Sequence, residues 1–141
     1  MAANKKRLKT LCVDFDGVLN SYKSGWQGPR TIPDPPVDGA IKWLESLLGL
    51  PDSLGAMHQE PPKFKVCIFS SRSRYIGGRR AMKKWLLRHG FHPVYMERLS
   101  FPIRKPPAHV LLDDRAICFE GTFPDPDELS AFRPWNRRKR R

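Results

Sequence analysis

The sequence predicts an α/β domain built on a mainly parallel sheet. Three observations carry this expectation: short, wholly apolar runs that read as strands buried on both faces, stretches of helical periodicity, and the alternation of the two along the chain. Thr10 to Phe15 is the first such run, and it ends in acids. The next segment, Asn20 to Pro36, carries Gly25, Gly28, Pro29, Pro33, Pro35 and Pro36, too many breakers for regular structure. Val37, Ala40, Ile41, Leu44, Leu47 and Leu48 then follow helical spacing, with Gly49 and Pro51 as stop signals. After a polar, proline-bearing loop from 51 to 62, Val66 to Phe69 reads as a second buried strand. Gly77-Gly78 opens a second helix with Met82, Trp85, Leu86 and His89 on its apolar side, and Gly90 ends it. Val94 to Met96 reads as a weak third strand, Val110 to Leu112 as a strong fourth and Ile117 to Phe119 as a short fifth at an edge. Asp127 to Phe132 adds a helical turn or two before Pro134.

A chain of 141 residues is about one domain by length, and it can bury a single core without staples. The expected division is a basic arm over 1–9, one catalytic domain over 10–132, and a basic, disordered tail over 133–141. The formal charge of +12 is carried by the two ends: residues 1–9 hold four basic residues and residues 133–141 hold six, with no acid in either. What remains is 16 basic against 14 acidic residues, so the body is nearly neutral. Such tails suit phosphate contacts to nucleic acid, or merely keep the protein solvated. No apolar stretch approaches a membrane span and no signal peptide precedes Asp14, so a cytoplasmic protein without a membrane partner is expected. Cys12, Cys67 and Cys118 are odd in number and lack metal-ligand spacing; they read as small core residues in a reducing compartment.

The chemistry is concentrated where strands end. Asp14 and Asp16 stand two apart at the end of the first strand, followed at once by Gly17, and side chains two apart on a strand point the same way. Like charges held so close repel unless a cation or a shared proton intervenes. Ser70 and Ser71 follow the second strand, and Asp113 and Asp114 follow the fourth. Ligands of open parallel sheets bind beyond the carboxyl ends of the strands, so all three groups face one crevice, with Lys105 in the loop entering the fourth strand. Up to four carboxylates make a hard oxygen site suited to Mg²⁺, and the absence of clustered soft ligands disfavours zinc. A carboxylate can attack phosphorus to give an aspartyl-phosphate, with the cation, Lys105 and a serine hydroxyl balancing the phosphoryl oxygens.

Asp14-Phe15-Asp16-Gly17-Val18, Ser70, Lys105 and Asp113-Asp114, in that order, resemble the four motifs of the haloacid dehalogenase superfamily of phosphohydrolases, over about residues 10 to 120. The resemblance implies a Rossmann-like three-layer sandwich, here with five strands. It implies Asp14 as nucleophile and Asp16 as the acid that protonates the leaving group and then activates water. It implies Mg²⁺ held by Asp14, the Asp16 main-chain carbonyl and an acid of the last motif, Asp114 being favoured and Asp113 a ligand or a group behind it. Ser70 would hold the phosphoryl group and Lys105 would stabilise it, with Gly17 and Ser71 as further phosphate or substrate contacts. Ser71 is an alternative to Ser70, and Arg72 is either a phosphate contact or the structural partner of an acid. Dehalogenating relatives lack an acid at the position of Asp16, which points to hydrolysis of a phosphomonoester. A bacterial receiver domain, also a magnesium-binding α/β fold, places its acid pair first and its lysine late, the reverse of the order here.

Substrate choice in the family usually rests on an inserted cap domain. About 50 residues separate Asp16 from Val66, helix included, and Ser71 to Lys105 is mostly helix and strand, so no substantial cap is expected and the site should be open. Open members often act on large substrates, and the phosphatase part of polynucleotide kinase is similar by motif. A nucleotide or a terminal phosphate of a nucleic acid is therefore the first substrate expectation. Tyr22, Trp26 and Gln27 would stack on a base or sugar, or else belong to a surface loop that Trp26 pins. The basic side of the second helix is either a solvated face or a track for phosphates. Two other classes stay open: a phosphate- or nucleic-acid-binding module with vestigial chemistry, and a phosphotransferase. Nothing in the sequence sets an oligomeric state.

Overall fold

A computed structural model describes residues 7–51 and 59–138. Its element order is β1 (Thr10–Val13), α1 (Ala40–Ser46), β2 (Lys65–Ile68), α2 (Ile76–Arg88), β3 (Leu99–Ser100), β4 (Val110–Leu112) and α3 (Pro126–Ser130), with 3-10 turns over Pro93–Arg98 and Trp135–Arg137. The four strands form one sheet in the order β3-β2-β1-β4, and every pairing is parallel. Cys12 lies opposite Cys67 on one side and Leu111 on the other, which brings the carboxyl ends of β1, β2 and β4 to one edge.

The two central strands meet the expectation of burial on both faces. Leu11, Cys12 and Val13 in β1 and Val66, Cys67 and Ile68 in β2 are all buried. Leu44 and Leu48 from the α1 region, Met82, Trp85 and Leu86 from α2, and Phe91 complete the core. Phe15 meets Trp85 edge to face at 4.9 Å, directly beneath the first acid motif. Trp85 also donates its indole N–H to the Asp34 carbonyl, fastening the proline-rich loop to α2.

Several expectations are corrected. Val94 to Met96 is not a strand: Pro93 starts a 3-10 turn there, and the His92 ring nitrogen accepts from the Val94 N–H as its cap. The third strand is Leu99–Ser100, only two residues long. Ile117 to Phe119 forms no strand: Ile117 and Phe119 are exposed, and Phe119 lies tilted against Phe123 at 5.0 Å rather than laddering on β4. Among the described residues the sheet therefore has four strands instead of five. Nor is it covered on both sides throughout: Val110, Leu111 and Leu112 are 46%, 45% and 42% exposed, and because neighbours on a strand point to opposite faces, both faces of β4 are open.

Two of the cysteines are buried as expected, whereas Cys118 is exposed. The tail expected to be disordered from 133 is placed as far as 138, with Pro134 buried and Trp135 donating to the Gly17 carbonyl at 2.7 Å. Residues 1–6 of the basic arm and 139–141 of the tail lie outside the described residues. No helix among the described residues is long and apolar enough to cross a membrane.

Candidate active site

The carboxyl edge of the sheet brings Asp14, Asp113 and Asp114 together. One oxygen from each lies within 4.8 Å of the others. Asp14 follows β1 directly; its main-chain N–H donates to the Leu112 carbonyl, extending the β1–β4 ladder up to the acids. The Asp14 side chain accepts from the N–H of Phe15, and Asp113 accepts from the N–H of Arg115, so short local turns aim both carboxylates. Asp114 is partly buried against Gly17, and its Oδ1 is buried with no hydrogen-bond partner.

That orphaned oxygen decides what the cluster fits. A buried carboxylate oxygen without a donor is costly unless a cation takes the donor's place. Burial and the adjacent carboxyl groups of Asp114 and Asp113 push the Asp14 carboxyl up to about 8. In the absence of a cation Asp14 thus holds a proton at neutral pH. All ligand atoms are hard oxygens, which suits a divalent cation such as Mg²⁺ or Ca²⁺ and disfavours soft metals.

Gly17 is explained by the same geometry. Its φ is +83°, and a Cβ placed on it would fall inside the Asp114 carboxylate. The glycine after the acid pair therefore makes room for an acid nearly a hundred residues later. Replacing Gly17 by Ala is expected to expel Asp114 from the cluster and weaken divalent-cation affinity by about tenfold or more, measured by calorimetric titration. Unchanged affinity would remove Asp114 from the cation site.

Beside the acids opens a cavity of about 140 Å³, lined in part by Asp14, Ser70, Ser71, Lys105 and Asp113. Ser70 is buried: its hydroxyl accepts from the Arg72 N–H, and its own N–H donates to the Ser73 hydroxyl. This interlocked turn leaves the Ser70 hydroxyl proton available to the cavity. Ser71 is exposed at the rim, as is Lys105 in the loop between β3 and β4. Cys12 also touches the cavity, but burial raises its thiol above the ordinary range, so it stays protonated and inert.

Asp16 faces a different partner. Both of its oxygens accept from the Nε of Arg72, at 3.0 and 3.2 Å, and Asn20 donates to Oδ1 at 2.9 Å. Its carboxylate stands outside the three-acid cluster, so any contact of Asp16 with a cation there falls to its main chain. Of the two readings of Arg72, the structure shows the acid's partner. Its side chain is 1% exposed, and Nη1 donates to the carbonyls of Gly28, Pro29 and Thr31. Trp26 stacks over the same guanidinium at 4.9 Å while remaining half exposed. Tyr22 sits close by with a left-handed backbone (φ 58°).

Four positions escaped the sequence reading: Asn20, Ser73, Trp135 and Asn136. Asn20 is four residues beyond Asp16 and buried, a spacing that signals a turn closing on its own acid. Ser73, three beyond Ser70, has the spacing of a serine-capped turn. Trp135 and Asn136, which bond the carbonyls of Gly17 and Ser21, come from the far end of the chain and carry no local signal. No protein-family model, curated protein or solved structure matches the chain.

Proposed function

We propose that the protein is a small, uncapped hydrolase of phosphomonoesters of the haloacid dehalogenase type, its four-stranded sheet being a reduced form of that superfamily's sandwich. The observation that carries this reading is the orphaned Asp114 oxygen within a three-acid cluster, beside a cavity bearing a serine hydroxyl and a lysine. A metal-activated carboxylate next to a pocket of donors matches the needs of phosphoryl transfer, where positioning and charge neutralisation supply most of the catalysis.

Asp14 attacks phosphorus to form an aspartyl-phosphate, and the bond to the leaving oxygen breaks. Asp16 gives that oxygen its proton and then takes one from the water that hydrolyses the intermediate, releasing phosphate and regenerating Asp14. Because Arg72 and Asn20 hold Asp16, this role requires its carboxyl to turn from them toward the cavity when substrate is bound. Ser70, with Ser71 at the rim, and Lys105 donate to the phosphoryl oxygens. Mg²⁺ on Asp14, Asp113, Asp114 and the Asp16 carbonyl would supply the positive charge that keeps neighbouring carboxylates ionised and offsets the phosphoryl charge. The buried free thiols of Cys12 and Cys67 suit a reducing, cytoplasmic setting.

The test is turnover of a panel of phosphomonoesters, with Mg²⁺ or with EDTA, by wild type and by Asp14→Asn. Phosphate release that needs the metal and vanishes in the variant is expected. An inert wild type would leave a binding module, and phosphate appearing on an added alcohol rather than free in solution would make the protein a transferase.

A further inference from the structure

Charge within the near-neutral body is segregated. From residue 61 to residue 96 there are nine Lys or Arg and no Asp or Glu. Four cations from two separate segments line one open groove of about 440 Å³: Arg30 from the proline-rich loop, and Arg80, Lys84 and Arg88 from α2. The three on α2 recur every fourth residue, so they stand in a row about 6 Å apart along the helix. All four are exposed, and among the described residues none is paired with a carboxylate. Like charges in such a row repel one another, which is a poor arrangement for stability alone.

Arg30 lies over the first turn of α2, where a Cβ on Gly77 would meet its side chain. The loop on either side of Arg30 is fixed by the three carbonyls that Arg72 holds, and the other end of that guanidinium grips Asp16. One buried side chain thus ties the groove to the candidate active site. At the start of α2, Tyr75 is exposed with Arg74 stacked on it at 4.8 Å, offering a ring face to a base.

We propose that this groove binds the sugar-phosphate backbone of a single-stranded polynucleotide whose terminal phosphate is the group hydrolysed; the second half rests on the phosphatase reading, the first does not. A lone phosphate calls for converging donors, whereas a row of single charges at regular spacing matches a polymer that carries one charge per repeat. A membrane surface calls for several apolar side chains projecting among the cations, whereas Ile76, one turn before Arg80, is the one large exposed apolar residue that lines the groove.

The deciding variant is the full chain carrying Arg80→Glu and Lys84→Glu, two exposed positions outside the catalytic cavity. Binding of a single-stranded oligonucleotide with hydroxyl groups at both ends, which offers no phosphomonoester, is followed by fluorescence anisotropy between about 50 and 200 mM salt. Wild type is expected to bind with a steep salt dependence. The variant should bind about tenfold or more weakly with a shallower slope, while its thermal midpoint does not fall and its hydrolysis of p-nitrophenyl phosphate stays unchanged. An Arg80→Ala and Lys84→Ala pair should move in the same direction by less. Equal affinity and slope in wild type and variants would overturn the proposal. So would tighter binding to anionic phospholipid vesicles than to the oligonucleotide, or loss of binding on removing residues 137–141 alone. If no phosphomonoester is hydrolysed yet the charge reversal abolishes oligonucleotide binding, the groove stands and the hydrolase falls.

Discussion

Asp14→Asn is expected to abolish phosphate release and, at the same time, to make the cation-free protein more stable at pH 8. The first follows from losing the attacking carboxylate, the second from removing a buried group that must ionise. Burial and the neighbouring acids hold the Asp14 carboxyl near 8, against an ordinary value of 3.8. Below pH about 4 the group carries its proton in both folded and unfolded chains, and there it does not affect the balance. Between about 4 and 8 the unfolded chain gives up that proton while the native chain keeps it, so this group's contribution to stability falls as pH rises. Asparagine has no proton to lose and removes that slope. The difference between variant and wild type should therefore widen from pH 5 to pH 8, to roughly 5 °C or more in Tm by scanning calorimetry in EDTA. Adding Mg²⁺ should raise the Tm of wild type more than that of the variant, since it acts on the ionised cluster. A pH-independent difference would mean that Asp14 shares no proton with its neighbours, and undiminished turnover would deprive it of the nucleophile's role.

The second large effect is expected at Arg72. Arg72→Ala should cost about 3–5 kcal/mol in urea unfolding, near the upper limit for a single substitution. It would leave the partly buried Asp16 carboxylate without its counter-charge and three loop carbonyls without their donor. It would also remove the support beneath Trp26. Arg72→Lys keeps the charge, but one ammonium cannot serve Asp16 and the carbonyls of residues 28, 29 and 31 together, so most of the loss should persist. Limited proteolysis should show early cleavage between residues 26 and 32 in both variants. A cost below about 1 kcal/mol would place Arg72 among ordinary surface arginines.

The contrast between Asp14 and Arg72 shows where sequence reasoning reached and where it stopped. β1 and β2 were legible as apolar runs because both of their faces are buried, α1 and α2 as 3.6-residue periodicity because one side of each is, and β4 by its composition alone, its three residues being exposed. The acids at the strand ends were legible as polar groups that such runs do not otherwise carry. β3 was not, since two residues hold no period, and Val94 to Met96 looked like a strand although the neighbouring His92 and Pro93 cap a 3-10 turn. Ile117 to Phe119 had strand composition, but composition cannot tell a ladder from a local aromatic cluster. At the site, Arg72 could be narrowed to two roles and no further: its choice of Asp16 is a contact between residues 56 apart. The groove was half visible, as a basic helix face. Arg30, its fourth cation, arrives through a loop whose path depends on that same arginine.

The bond from Trp135 to Gly17 also orders events in time. It joins residues 118 apart, so the loop that shapes the cation cluster can receive this donor only after residue 135 has been synthesised. At ordinary rates of translation that is a wait on the order of ten seconds. β1 and β2 can pair during this interval, but β4 and its two acids come late as well. A nascent chain can therefore hold the sheet's centre and the basic helix before it holds a finished cation site. If the protein acts as proposed, the capacity to hold a polyanion is acquired earlier in the life of the molecule than the capacity to remove its terminal phosphate.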